Sequence, residues 1–538
     1  MNNIIKILSY DEINSLNNIY LNYIDPNIIN KNNEYNLLSS SIYETNNNNI
    51  LNFCKSKTND LLNLTTLRIF PLLDIIINKK LHFLCLITNK ICQTTYSKHF
   101  FYKNNNNNYL TFNEYSYTIY HFENNVNSFC VIFNNGIGIS AMNIGLSFIY
   151  YYNLNIIYYM DSYNHYNDDI CDKIKEIIID NKFEYCKNIA LTFGYQINCA
   201  HQILNEISGI YRLIYLDLLS YINTIYIGPY NYYNIENILN KYNLNFEYID
   251  ITNIDKIKKE LFICKVGDCN INNEICNLIQ NNDKQNNDKQ IDEIFNYYPV
   301  INIVLRAGDR KYNNQIENTI NIINHLHIHF PNLYIIFDGY INNNTINIYS
   351  NKYVYNDNYI LIYNEYTNIL NEIISNITIK RYTSLINKTY VEQQNILNKC
   401  NYCIYAIGSA CSTSSWIHNI PGINFGRQTE EININLTCTQ DLYFFPNISM
   451  RTYLNKKFIN YYNDNTNIER VSYDINWMIL FCHIYRDLCF LEKYGIIKQY
   501  DFIKKFNYYN DWNLDINIEN ITTINELNIC LKIIKNLI

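Results

Sequence analysis

Two arginines four residues apart, at the end of an apolar run, are the side chains of this chain best suited to gripping an oxyanion. Residues 301–311 read INIVLRAGDRK: strand-like as far as Leu305, broken only by Asn302, then Arg306, Gly308, Asp309 and Arg310. A guanidinium presents a planar fork of donors matched to phosphate oxygens. In open α/β sheets ligands sit just beyond the carboxyl ends of the strands. A helix from Gln315 onward would add backbone N–H groups and a favourable dipole at its start. A solvated turn closed by an Arg–Asp pair fits the same residues, so the phosphate reading needs company.

Residues 404–427, IYAIGSACSTSSWIHNIPGINFGR, supply it. A strand runs into Gly408 and gives way to Ser409, Ser412, Thr413, Ser414 and Ser415, ahead of a short helix over 416–419. Small hydroxyl residues at a helix start let N–H and O–H groups approach an oxygen-rich ligand. A plain Ser/Thr cap accounts for one or two of them, and five behind a glycine favour ligand contact.

The first half holds a different set. Residues 193–212 read FGYQINCAHQILNEISGIYR, a strand, a loop and a helix start. His201 and Asn205 fall one turn apart on one helix face, with Glu206 beside them. A histidine that titrates near neutrality can take a proton from a hydroxyl, and Glu206 is the competing base. A structural histidine is the plainer reading of the same pattern. Asn198 and Arg212 are further candidates for acceptor or phosphate contact.

Metal chemistry finds little support. Cys400 and Cys403 form one C-x-x-C pair without a second at zinc-ribbon spacing. His325, His327 and His329 alternate near a helix C-terminus, where histidine is favourable anyway. No D-x-D pair ends a strand, so no metal is expected. Gly136, Gly138 and Gly145 follow a strand, but their spacing is wrong for a dinucleotide fingerprint. Asp161 is the acidic residue near the end of the next strand. We read this glycine turn as a tight turn in a βαβ unit.

Positioning these groups requires alternating strands and helices. In the first half the pattern predicts strands at 128–133, 155–160, 188–193, 224–227 and 246–249, with helices at 141–152, 168–180, 200–218 and 235–242. In the second it predicts strands at 301–305, 333–337 and 402–407, a strand or turn near 378–382, and helices at 315–327, 366–375 and 390–398. Such alternation means crossover units and a mainly parallel sheet. Between the halves, NNDKQ occurs twice in tandem at 281–290, polar and without an apolar residue, as in an exposed linker. The expected organisation is an N-terminal extension (1–110), a first Rossmann-like domain (111–280), a linker (281–297), a second Rossmann-like domain (298–440) and a helical tail (441–538). The fold class is α/β, with two Rossmann-like domains facing a cleft.

Composition bounds the rest. A chain of 538 residues exceeds one ordinary core. Abundant Asn, Ile and Tyr (54 Tyr) beside few Gly (13) and Pro (7) reflect A/T-rich codons and blunt every asparagine-based signal. A net charge of −7 and the lack of basic blocks argue against nucleic acid as partner. Seventeen cysteines without an apolar leader fit reduced thiols and a cytoplasmic location. The apolar run 137–160 is cut by Asn143, Asn153 and Asn155, so no membrane span is expected, while peripheral membrane contact stays open.

Strand–R-x-G-D-R, later strand-D-G, later strand–G-S-x-x-S-T-S-S with a downstream P-G resembles the nucleotide-sugar half of GT-B-fold glycosyltransferases over roughly residues 301–427. It is most similar to the fucosyltransferase-like and related bacterial polysaccharide groups, and 193–212 looks like an acceptor-side stretch of the same enzymes. The resemblance implies that Arg306 and Arg310 hold a donor diphosphate and that Ser409, Ser412, Thr413 and Ser414 line its phosphate or ribose side. It implies that Asp338 orients a sugar or ribose hydroxyl, that Asn198 and Asn205 contact the acceptor, and that His201 or Glu206 is the base. R-A-G-D-R lacks the second basic residue that fucosyltransferases tend to show directly after the first Arg. The implied activity is metal-independent, inverting transfer from a nucleotide-sugar co-substrate to a glycan or other hydroxyl acceptor, with no further cofactor. Two alternatives stand beside it: another nucleotide-binding α/β enzyme, such as a dinucleotide-dependent oxidoreductase that uses the Gly136 turn, and a non-catalytic interaction protein that retains the fold.

Overall fold

The computed structural model describes residues 4–7, 75, 80–88, 90–103, 114–123, 127–134, 146–159, 168–179, 188–195, 199, 202–215, 218–228, 230–249, 261–265, 273–282, 293–294, 296–307, 312–339, 357–388, 390–406, 414, 417–418, 420–425, 451–454, 458–461, 473–494 and 521–537. The chain divides into two compact units, Met1–Ile271 and Asn272–Ile538.

In the first unit β1 (Ile4–Ile7), a hairpin of β2 (Leu81–Cys85) and β3 (Lys90–Thr94), β4 (Ser97–Lys103), β5 (Glu114–Phe122), β6 (Phe129–Asn134), β7 (Leu146–Tyr151) and β8 (Ile156–Tyr159) come first. Strands β4 to β8 form an antiparallel meander, and β1 adds to β8 in parallel. This corrects the expected alternation over 128–160: a strand, β7, occupies half of the predicted helix 141–152. Phe148, Ile149, Tyr150 and Tyr151 are all fully buried, so both faces of β7 are covered. A continuous apolar run carries no period to tell strand from helix, and its aromatic content decides for strand. Gly136 and Gly138 lie outside the described residues, but the strands on either side, β6 and β7, are antiparallel neighbours. The predicted βαβ setting, which needs parallel strands, is therefore absent.

Alternation holds further on. Helix α1 (Asp168–Ile179) leads to β9 (Asn188–Phe193), a π-helix (Gln202–Ile207) runs into α2 (Ser208–Tyr215), and β10 (Ile222–Ile227), the short α3 (Ile235–Ile238), β11 (Asn245–Tyr248) and β12 (Leu261–Lys265) follow. Their sheet is wholly parallel in the order β11-β10-β9-β12.

The second unit opens with α4 (Asn273–Asn282), which reaches two residues into the predicted linker. Near that linker's other end Ile294 is already buried in a core cluster. Then come β13 (Val300–Val304), α5 (Gln315–His329), β14 (Tyr334–Asp338), α6 (Asp357–Asn376), β15 (Tyr382–Ser384), α7 (Tyr390–Leu397), β16 (Tyr402–Ala406), β17 (Gly422–Phe425) and β18 (Arg451–Tyr453). Six parallel strands lie in the order β15-β14-β13-β16-β17-β18. All five residues of β13 are buried, as befits a strand with parallel neighbours on both sides. Helix α5 buries Gln315, Asn318, Thr319, Ile322, Ile323 and Leu326, a single stripe at helical spacing.

The segment after 441 is not all helix. Besides β18 it supplies β19 (Ile459–Tyr461) paired with β20 (Tyr473–Ile475), then α8 (Trp477–Tyr494) and α9 (Ile524–Leu537). Leu454, Ile475, Phe481, Leu488 and Leu531 share one core cluster with Ile301, Ile323 and Phe337, so this segment is part of the second unit's core. A reciprocal cap starts α9: Glu526 accepts from the N–H groups of Thr522 and Thr523 at 2.8 and 2.9 Å, while Thr523 Oγ1 accepts from Glu526 N–H at 3.3 Å. No helix among the described residues is long and apolar enough to cross a membrane.

Candidate functional site

The strand order of the second unit singles out one edge. Counting along the chain from β13, the sheet runs 3-2-1-4-5-6, the order of a doubly wound sheet whose ligand crevice opens where the order reverses, between strands 1 and 4. Those strands are β13 and β16, paired through Ile301–Tyr402, Asn302–Cys403 and Ile303–Ile404. One ends in the turn that carries Arg306. The other ends at Ala406, where the chain enters the glycine- and serine-rich stretch. Two motifs a hundred residues apart thus leave neighbouring strands at the same edge.

Arg306 is half-buried, and its backbone is clamped. Gln315, the first residue of α5, accepts from Arg306 N–H through Oε1 at 2.7 Å and donates from Nε2 to the Arg306 carbonyl at 2.9 Å. A side-chain amide here does what a neighbouring strand would do, and it ties the strand end to the helix start. The N-terminus of α5 is fixed in turn by the tail: Asn314 and Asn318 donate to the Ile475 carbonyl at 3.2 and 2.7 Å, and Tyr312 stacks on Tyr473 at 5.8 Å.

Asp338 closes β14. Its carbonyl accepts from Leu305 N–H at 2.8 Å, and its carboxylate Oδ1 accepts from Gly339 N–H at 2.7 Å. Burial pushes the carboxyl up to about 6, against the pull of the Gly339 N–H and the Asn302 amide. Gly339 is required here: a Cβ would stand 2.6 Å from the Tyr366 ring and 3.0 Å from the Leu305 carbonyl, at φ +156°. Burial also raises the Tyr366 hydroxyl, opposed by the Arg306 guanidinium and a hydrogen bond with the Ala307 backbone. Arg306, Asp338 and Tyr366 therefore share one electrostatic neighbourhood.

Of the serine-rich stretch, Ser414 is fully buried; its carbonyl accepts from Ile420 N–H at 3.0 Å, and its Oγ has no hydrogen-bond partner. Asn424 on β17 is likewise buried with Oδ1 unpaired. Arg310, Ser409, Ser412 and Thr413 lie outside the described residues.

In the first unit the loop after β9 is held from several sides. Gly194, at φ +75°, donates its N–H to Glu206 Oε2 at 3.0 Å. Gln202 accepts from Tyr232 N–H at 3.1 Å and donates to the Tyr230 carbonyl, and Tyr233 donates to the Cys199 carbonyl at 3.0 Å. Asn205 and Glu206 are both buried, on a π-helical turn. Such turns are rare and recur at functional sites. Asn198 and His201, with the side chain of Arg212, lie outside the described residues.

No family model matches the sequence, and no curated protein matches it. Among solved structures, a glycosyl transferase family 9 protein from Veillonella parvula is similar over 51% of this chain and 87% of its own, at 8% identity and a TM-score of 0.29. A glycosylation-associated protein complex from Streptococcus agalactiae is similar over 62% and 69%, at 11% identity and a TM-score of 0.17. Both likenesses are loose.

Among the described residues no group of three or more His, Cys, Asp or Glu is placed to hold a metal ion. Three residues of the strand edge escaped the sequence reading in their roles. Asn302 registered there as a break in an apolar strand, which was the signal. Gln315 was a polar residue at a buried helix position. Tyr366 gave no signal, being one of 54 tyrosines.

Proposed function

We propose that this chain is a glycosyltransferase whose second unit takes a nucleotide-sugar donor at the edge between β13 and β16. The observation that carries the reading is the strand order: β13, which leads into the Arg306 turn, and β16, which leads into the serine-rich stretch, are paired neighbours where the order reverses. Arg306 and Arg310 neutralise the donor diphosphate, and Ser409, Ser412, Thr413 and Ser414 face its phosphate or ribose oxygens. Asp338 accepts hydroxyl hydrogen bonds from the ribose or sugar. Guanidinium groups and the start of α5 stabilise the departing diphosphate without a metal ion. The first unit takes the hydroxyl acceptor near Asn198 and Asn205, with His201 or Glu206 as base, and in-line attack inverts the anomeric centre. Fucosyltransferase-like and bacterial polysaccharide enzymes are the relatives whose motifs these residues resemble.

A thermal-shift screen against UDP, GDP, CMP and their sugars, repeated with Arg306→Ala, tests the donor site. A nucleotide at a hundred times its dissociation constant stabilises by about 2.7 kcal/mol. No shift with any nucleotide, or one untouched by the substitution, removes the proposal. A second reading is favoured by one observation: an acidic residue at the end of the second strand of such a sheet is where dinucleotide folds hold a ribose, and Asp338 stands there. Including NAD and NADP in the screen separates the two.

A further inference from the structure

We propose that Asn302 is a positioning residue for Asp338, its buried amide holding the carboxyl in the ionised, acceptor form that a ribose or sugar diol requires. The inference rests on the nucleotide-sugar reading of this edge. Asn302 sits at the centre of β13 with no exposed surface; neither Nδ2 nor Oδ1 makes a well-formed hydrogen bond, and the Asp338 carboxyl is a polar group on which its amide bears. Its strand-mates are Val300, Ile301, Ile303 and Val304, any of which would fill the site at lower cost. A buried amide without a well-formed hydrogen bond calls for an explanation beyond packing.

Register supplies one. Asn302 pairs with Ile336 and Val304 with Asp338, so strand alternation puts Asn302 and Asp338 on one face, with the amide one step beneath the carboxyl. Val300, Val304, Ile336 and Cys403 confirm that face as a single apolar cluster. The groups bearing on the carboxyl are few: the Gly339 N–H, the Asn302 amide, the Tyr366 hydroxyl from α6 and the Cys400 thiol from the turn before β16. Burial raises both Tyr366 and Cys400, so each stays neutral through the physiological range. Of the two groups that favour ionisation, the Gly339 N–H is available to any aspartate at that turn, and Asn302 is the side chain that this sequence adds. An ionised carboxylate is acceptor-only and can take a hydrogen bond from each hydroxyl of a diol, the stronger charge-assisted kind.

The test is calorimetric titration of the full chain with UDP, GDP and CMP from pH 5 to 8, in the wild type, Asn302→Leu and Asp338→Asn, with the 2′-deoxy form of whichever nucleotide binds. Wild-type affinity rises through a midpoint near the Asp338 value and then levels. Asn302→Leu moves that midpoint up by about one unit, a tenfold change in the ionisation constant, and restores near-normal affinity at pH 8. Asp338→Asn flattens the profile, and loss of the 2′-hydroxyl mimics it. Arg306-dependent binding with an unmoved midpoint in Asn302→Leu overturns this inference and leaves the donor site standing. No binding at any pH overturns the donor site itself. A ligand-free check covers a poorly behaved variant: the melting-temperature difference between the parent and Asp338→Asn, followed against pH with and without Asn302→Ser. That difference changes at a higher pH when Asn302 is replaced, and an unchanged midpoint sinks the assignment.

Discussion

The two parallel sheets treat several of their buried polar groups differently. Around the four-stranded sheet of the first unit three of them meet backbone partners: Glu206 takes Gly194 N–H, Gln202 spans Tyr230 and Tyr232, Tyr195 reaches the Ile249 carbonyl at 3.2 Å. In the six-stranded sheet of the second, Asn302, Ser414 and Asn424 keep buried atoms without partners. A satisfied edge rigidifies its own loops. An unsatisfied one holds hydrogen-bonding capacity in reserve, which a ligand can use and which the free protein bears as a loss of stability. The contrast supports the proposed donor edge on chemistry, beside the strand order on which the proposal rests.

Gln202→Leu breaks the satisfied edge most severely. It orphans the Tyr230 carbonyl and the Tyr232 N–H together, at about 1–3 kcal/mol for each buried group, so a loss of about 4 kcal/mol is expected in urea unfolding. A loss below about 1 kcal/mol would mean that the loop re-pairs and the edge is not rigid. At the other edge Asp338→Asn goes the opposite way. Burial pushes the folded carboxyl up to about 6 from an ordinary 3.8, so the folded state binds protons that the unfolded chain has already lost. Stability therefore falls as pH rises from about 4 to 6 and stays low above, by up to about 3 kcal/mol. Asn carries no charge to bury, so the variant is more stable than the parent at pH 7 and gains nothing at pH 4. Equal melting temperatures at pH 7 would show that the carboxyl is not strained by burial.

Much of the second unit was legible in sequence because its elements carry strong periods. Helix α5 has a clean stripe, β13 is an apolar run closed by a glycine turn, and both were placed within two residues at either end. The meander failed for a physical reason: β7 is apolar on both faces, and such a run has no period to read. Strands β17 and β18 went unpredicted, and with them the six-strand order in which β13 and β16 are neighbours. Arg306 and Asp338 were visible as chemistry at strand ends. What brings their strand ends together is long-range pairing, Val304 with Asp338 and Ile303 with Ile404, which no local pattern encodes.

Gln315→Met asks whether the Arg306 turn is preorganised. Removing the amide forfeits both hydrogen bonds to the strand end, at about 2 kcal/mol of stability, and frees the Arg306 backbone. Nucleotide affinity in the thermal-shift screen should drop with it. Undiminished affinity would show that the arginine turn holds its shape without the helix.

The smallest expected effect is the most discriminating. Asn302→Leu replaces a buried amide that makes no well-formed hydrogen bond by an apolar side chain of similar size, so the folded state sheds a desolvation penalty. A gain of about 1 kcal/mol is expected in chemical denaturation at pH 5, where Asp338 is protonated and asks little of the amide. At pH 8 the same substitution also withdraws the Asn302 dipole from an ionised, buried carboxylate, and the gain shrinks or reverses. A gain of the same size at both pH values would mean that Asn302 is a packing fault and nothing more, and the two edges would then differ in tidiness rather than in purpose.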